Sequence, residues 1–207
     1  MSAVTRRAGA AALGVAMSIG ALSACSGGSS APVGTTGSTV TSTTPAPTPV
    51  TTTATGASVY GAYAFVQPAA WVVDAGRQTK GVTTYLKAPQ PVSGVIPTFT
   101  VATSTVAPLP ALDDLAKQGA ITFRQRGATV TDAADRTIGG EPAKGYVVTS
   151  STPKTGTTGS QALTQTQYFV IHGGTIYVTT FTSSTASAAS LKSTQDAILA
   201  SWSWTAP

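Results

Sequence analysis

The chain has a single cysteine, Cys25, and a single histidine, His172, among its 207 residues. One of each completes neither a tetrahedral zinc site nor an internal disulfide, so metal-centred chemistry and a disulfide framework are poor starting points, and no cofactor is expected. Charge is scarce as well: only 9% of residues are Asp, Glu, Lys or Arg. None of these, and no His, occurs between Arg7 and Asp74. The first third of the chain is therefore a different kind of polymer from the rest. The basic residues, 12 against 7 acidic, form no dense stripe interleaved with aromatics, so a nucleic-acid partner is not expected.

What the charge-poor third does contain is ordered by position. Arg6 and Arg7 are followed by an apolar stretch from Ala8 to Leu22 and then by small residues. A basic start, an apolar run of about 15 residues and a small-residue cleavage point make a secretory signal peptide, and the run is short of the ~20 residues a membrane span needs. Thr5-Arg6-Arg7 opens like a twin-arginine signal, but Gly9 and Ala10 stand where that motif has bulky apolar residues, which favours general secretion. Leu22-Ser23-Ala24-Cys25 resembles a bacterial lipobox. The resemblance implies cleavage before Cys25 and transfer of a diacylglyceryl group to its thiol, with acyl chains such as palmitate. The alternative is an ordinary signal peptide cut after Ala24 that leaves a free thiol. Two or three acyl chains would hold the protein to a membrane without a span, facing the extracytoplasmic side. Cys25 is the expected lipidation residue.

Residues 26–58 are almost wholly Ser, Thr, Gly, Pro and Ala. Such a segment has too little apolar surface to offset its ordering entropy and reads as a disordered tether, with a polyproline stretch at Pro45 to Pro49. A flexible coil of this length spans about 30 Å and reaches about 100 Å when stretched. The Ser/Thr clusters beside proline also suit O-linked sugars, secondary to the spacer role. The expected division is thus a signal peptide at 1–24, a lipidated cysteine and tether at 25–58, and one folded domain at 59–207. Cleavage removes Arg6 and Arg7 and lowers the net charge from +5 to +3.

Within 59–207 the patterning alternates between periods of two and 3.6. Strands are expected from Tyr60 to Val66, with Tyr63 and Phe65 on one face, at Trp71, from Val82 to Leu86 and from Phe99 to Val106. Leu112, Leu115, Gly119 and Phe123 recur at helical spacing, with Asp113 and Asp114 in the first turn and Arg124 and Arg126 in the last, giving a helix over 110–126. A hairpin should turn at Gly139-Gly140-Glu141-Pro142, and residues 151–159 read as a loop. Ala162 to His172 and Ile176 to Thr182 read as strands joined by Gly173-Gly174. A final helix over 183–201 should end at Trp202-Ser203-Trp204, where Trp204 cannot share the helix face of Trp202 and packs on a sheet edge or stays partly exposed. Hairpins without crossover helices make the class α+β, a largely antiparallel sheet with two main helices packed on it.

Pro68 to Trp71, the mid-chain helix, the tip Gly140-Glu141-Pro142-Ala143, the strand closing at Gly173-Gly174 and the ending Ser201-Trp202 together resemble the PsbP/Mog1-like fold. Within it the chain is similar to the LpqN family of actinobacterial lipoproteins, which share a lipobox and a Thr/Pro-rich tether. The resemblance implies a non-enzymatic cell-envelope lipoprotein that binds an envelope protein, glycan or lipid. It carries over no binding residue.

A hydrolase is the competing class. His172-Gly173-Gly174 superficially resembles a glycine-rich oxyanion stretch, but a two-residue turn explains it, and no Gly-x-Ser-x-Gly elbow occurs. Carboxylates could act without histidine, as in glycoside hydrolysis, and Asp113/Asp114, Asp132/Asp135 and Glu141 are the candidates. Each also has a structural role at a helix start or a hairpin. The aromatic supply at Trp71, Trp202 and Trp204 leads to a further expectation, an apolar cleft between the C-terminal helix and the sheet.

Overall fold

The computed structural model describes residues 54–79, 81–153 and 159–205. In chain order these form β1 (Ala54–Val59), β2 (Tyr63–Pro68), β3 (Val72–Val73), β4 (Val82–Lys87), β5 (Thr98–Ser104), α1 (Leu112–Gln125), β6 (Thr129–Asp132), β7 (Arg136–Ile138), β8 (Glu141–Pro153), β9 (Ser160–His172), β10 (Thr175–Ser184), α2 (Ala188–Ala200) and β11 (Ser203–Trp204). Eight strands make one sheet in the order β3-β4-β5-β10-β9-β8-β6, with β7 also paired to β8. A three-stranded sheet, β1-β2-β11, stands beside it. Every pairing is antiparallel, and the α+β class expected from the sequence holds, although the structure is mostly sheet.

The large sheet is buried on both faces, which its sequence pattern only half announces. Along β9, Tyr168 and Val170 join one apolar cluster while Phe169 and Ile171 join the other; along β10, Tyr177 and Phe181 oppose Ile176 and Val178. Neighbours on a strand point to opposite faces, so the two clusters lie on the two sides of the sheet. On one side α1 supplies Leu112, Leu115, Ala116, Ala120 and Phe123. On the other, α2 supplies Leu191, Ile198 and Leu199, and β2 adds Tyr63 and Phe65. The arrangement is a three-layer sandwich with the sheet in the middle. Tyr63 and Phe65 share a face as expected, both fully buried.

Several boundaries differ from the sequence reading, and β2 runs over Tyr63–Pro68 where a strand from Tyr60 to Val66 is expected. The folded part begins at Ala54 rather than Val59, because residues 54–58, read as the end of the tether, complete β1 on β2. A strand poor in apolar side chains is held there by its backbone ladder, which composition does not report. The expected loop at 151–159 is shortened, since β8 runs on to Pro153 and β9 starts at Ser160. The final helix starts at Ala188 rather than 183: Ser183 and Ser184 extend β10, and the Ser184 Oγ accepts the Ser187 backbone N–H at 3.1 Å across one turn of 3-10 helix. A serine that bonds its own backbone favours the cap over the helix interior.

On the α1 side the Tyr146 hydroxyl donates to Gln167 Oε1 at 2.7 Å. Burial pushes its pKa well above the ordinary phenol value, so the group stays a neutral donor throughout the physiological range. Tyr146→Phe is expected to cost about 1–2 kcal/mol through the lost buried hydrogen bond. A urea midpoint equal to that of the unaltered chain would contradict this.

Candidate functional site

The site is built at the tip of the β7–β8 hairpin. Gly139 and Gly140 make a two-residue turn with φ of +60° and +85°, a left-handed pair that glycine adopts without the penalty of a Cβ. Space matters as much as conformation at Gly139. A Cβ there would stand 2.6 Å from Trp204 Nε1, 2.8 Å from Trp202 Cδ1 and 3.0 Å from Trp204 Cδ1. The N–H edges of two indoles thus converge on one bare Cα.

The two tryptophans arrive by different routes. Trp202 leaves the end of α2 and is 5% exposed, stacked on Tyr63 with ring centres 4.5 Å apart and on Phe65 at 5.6 Å. Trp204 belongs to β11, which pairs with β2 through Trp204 and Tyr63. The sequence leads Trp204 to leave the helix face and either pack on a sheet edge or stay partly exposed; it lies in the edge strand of the small sheet and is half-buried. Its ring lies parallel to the imidazole of His172, 4.2 Å away, and tilted against Tyr177 at 4.8 Å. His172 Nδ1 in turn lies 3.1 Å from Glu141 Oε1.

Beside this turn runs a groove of about 540 Å³ lined by Arg136, Thr137, Gly139, Gly140, Leu199, Ala200 and Trp202. Arg136 donates from Nη1 to Asp196 Oδ1 at 3.0 Å, and its guanidinium carbon lies 5.3 Å from the centre of the Tyr168 ring. Burial pushes the Asp196 carboxyl up, but hydrogen bonds and charge from Lys192 and Arg136 outweigh it and hold the group below the usual carboxylate range. Among the described residues four buried side-chain nitrogen or oxygen atoms have no hydrogen-bond partner, and three are here: Arg136 Nε, Trp202 Nε1 and Trp204 Nε1. Buried donors are nearly always paired, so these three are a cost to the fold; two of the residues, Arg136 and Trp202, line the groove, while Trp204 meets the turn at Gly139.

The expected apolar cleft between the C-terminal helix and the sheet is not what the fold builds. Leu191, Ile198, Leu199 and Trp202 fill that interface, and the groove opens past the end of α2 with a charged arginine in its wall. The helix and sheet are both apolar where they meet, so they close on each other.

The proposed catalytic groups are divided. Glu141 meets His172, but among the described residues no Ser or Thr hydroxyl is hydrogen-bonded to either, and neither lines the groove. His172-Gly173-Gly174 is the turn between β9 and β10, with both glycines at positive φ. Asp113, Asp132 and Asp135 come together in a second groove of about 250 Å³ with Lys117, Arg124 and Lys144, while Asp114 stays on the exposed side of α1. Lys144 bonds Asp135 and lies 3.7 Å from Asp113, and the bond to Asp135 leads in raising the lysine pKa. These carboxylates are interleaved with cations, and Lys144 pairs with two of them. Among the described residues no group of three or more His, Cys, Asp or Glu side chains is placed to hold one metal ion. Cys25 and the signal and tether residues before Ala54 lie outside the described residues.

Sequence reasoning marked Trp202, Trp204 and the glycine turn separately and missed Arg136. An isolated arginine on a three-residue strand gives no signal until the fold sets it under the end of α2.

By sequence, no protein-family model and no curated protein matches the chain. By structure, it is similar to LpqN of Mycobacterium tuberculosis, a protein involved in cell envelope biogenesis (14% identity, 70% of this chain and 83% of that one, TM-score 0.48). It is also similar to a cyanobacterial PsbP from Synechocystis (12% identity, 70% and 87%, TM-score 0.47). A third similar structure is the Ran-binding protein Mog1p of Saccharomyces cerevisiae (11% identity, 73% and 95%, TM-score 0.49).

Proposed function

We propose that the chain is an exported lipoprotein, cleaved before Cys25 and held on the extracytoplasmic face of the membrane by acyl groups on that residue. Its PsbP/Mog1-like domain, carried on a tether, is a non-enzymatic module that binds a partner or ligand of the cell envelope. The observation that carries the binding reading is the groove beside Gly139, of about 540 Å³, whose wall combines the Arg136 guanidinium with Leu199, Ala200 and Trp202, a mixture of charge and apolar surface that suits a ligand or partner. The anchoring reading rests on the order of basic residues, apolar run and Leu22-Ser23-Ala24-Cys25. Among the described residues no helix is long and apolar enough to cross a membrane, so on this reading attachment depends on the acyl chains.

In-cell crosslinking from the domain, comparing the unaltered chain with Cys25→Ala, tests both parts. The unaltered protein should sediment with membranes and give discrete crosslinked species. Cys25→Ala should move most of it to the soluble fraction and deplete those species. Membrane retention of the variant would reject the lipobox assignment, and an absence of crosslinks from the anchored protein would reject the binding module.

A further inference from the structure

We propose that the open edge of β1 pairs with the β1 of a second copy of this chain, antiparallel across a two-fold axis, so that two three-stranded sheets join into one. The proposal goes beyond the groove reading and needs neither the groove nor the anchor at Cys25. The direction of the free backbone groups comes first. Tyr60 N–H donates to the Tyr63 carbonyl at 2.7 Å, Val66 N–H donates to Ser201 Oγ at 2.9 Å, and β11 pairs with β2 at Ala64. Pairs along an antiparallel ladder alternate between exchanging two hydrogen bonds and exchanging none. Ser58 therefore bonds Phe65, whereas Val59 opposite Ala64 and Ala57 opposite Val66 turn both backbone groups away from β2. Among the described residues no hydrogen bond takes those outward groups up.

Proteins ordinarily blunt an open edge with shortness, charge or proline. β3 and β11 have two residues each, and β7 has three, Arg136 among them. β6 has four, ends in Asp132, and has its Val130 carbonyl met by Arg124 Nη2 at 3.4 Å. β1 has six residues with neither a charge nor a proline. Its register shift falls before Ala57, which leaves Ala57 to Val59 regular. Val59, 67% exposed, is also the most exposed large apolar side chain among the described residues.

A second copy answers both features. A two-fold axis at Ser58 sets Ala57 of each copy opposite Val59 of the other, where each pair exchanges two N–H···O bonds and each Val59 is covered by an alanine on the same face. The side chains at the join are Ala, Ser and Val, small enough for the backbones to approach, and no charge on either strand opposes the approach. The same patch serves both copies, as a two-fold contact requires. The area is small, so association is weak and shows at high concentration.

Single-thiol variants of the full chain, each in a Cys25→Ala background, test the pairing by mild oxidation at about 1 mM protein, where a weak contact is populated. At the axis the two Ser58 residues form a pair with Cα atoms about 4.5 Å apart, within disulfide reach. The two Val59 residues lie diagonally, about 7–8 Å apart, beyond it. Ser58→Cys should therefore give a disulfide-linked dimer in about tenfold higher yield than Val59→Cys, although Val59 is the more exposed of the two and random collision would favour it. The yield should fall on dilution. Adding Val59→Lys to the Ser58→Cys chain places a charge on the edge without touching the ladder to β2, and should lower the yield several-fold with an unchanged far-ultraviolet circular dichroism spectrum. Equal yields from the two thiols, or a yield that Val59→Lys leaves unchanged, would overturn the proposal. A Ser58→Cys chain that stays monomeric would overturn it too and leave the edge to an unlike strand.

Discussion

Trp202→Ala should destabilise the domain by about 3–5 kcal/mol, the range for truncating a buried aromatic side chain. Trp202 is stacked against both Tyr63 and Phe65, neighbours on one face of β2, and meets Trp204 edge-on at 5.5 Å, so the alanine leaves a void bordered by three aromatic rings that sit on rigid strands and cannot collapse into it. The same residue joins α2 to β11, and β11 closes the small sheet on β2. Its loss therefore loosens the last strand as well as the core. Urea unfolding followed by far-ultraviolet circular dichroism measures the effect. With a slope of about 1–3 kcal/mol per molar urea, the midpoint should fall by at least about 1 M. Trp202→Phe keeps most of the stacking and removes an indole N–H that has no partner, so it should cost well under half as much. Equal losses in the two variants would show that ring burial is not what Trp202 contributes.

Gly145→Ala should be the most damaging single methyl group in the sheet. Gly145 pairs with Tyr168 in the β8–β9 ladder, and an alanine Cβ would collide with the backbone oxygen of Gln167 and stand 2.7 Å from Tyr168 Cδ1. The first obstacle is backbone, which yields only if the strands separate. Gly145 also lies where β8 changes partners: its carbonyl accepts the Ala133 N–H at 3.0 Å, between the stretch paired with β7 and the stretch paired with β6. Overpacking of this kind costs about 1–3 kcal/mol where side chains can move and more where backbone must. The expectation is a loss above about 3 kcal/mol or a chain that fails to accumulate folded. Gly140→Ala is the matched control. Its φ is +85° but nothing lies within 4 Å of the added methyl, so it meets conformational strain alone, about 1–2 kcal/mol. A Gly145→Ala midpoint no lower than that of Gly140→Ala would show that the ladder has room the geometry denies.

The sequence alone was enough to place α1, because Leu112, Leu115 and Phe123 keep a helical interval against one buried surface, and Asp113, Asp114 and Arg124 mark its ends electrostatically. It was enough for the Gly139–Gly140 and Gly173–Gly174 turns, since a two-residue hairpin needs positive φ at both positions and glycine supplies it cheaply. It was not enough for β1, whose stability comes from backbone bonds to β2. Nor did it reveal that β9 and β10 are covered on both sides, because strands buried on both faces lose the period-two signal that a half-buried strand shows.

The candidate site divides along the same line. Composition and order alone point to export, a lipid anchor at Cys25 and a tether, since those are properties of a linear string: charge, hydropathy and cleavage chemistry read in succession. Tertiary structure decided that Trp202 and Trp204 would bring their indole edges against Gly139, and that Arg136, more than 60 positions earlier, would line the same groove as Trp202. It also decided that His172 and Glu141 would pair beside the groove instead of in it. Whether a donor has a partner depends on which groups the packed layers bring within about 3 Å, and that is a property of the folded chain only.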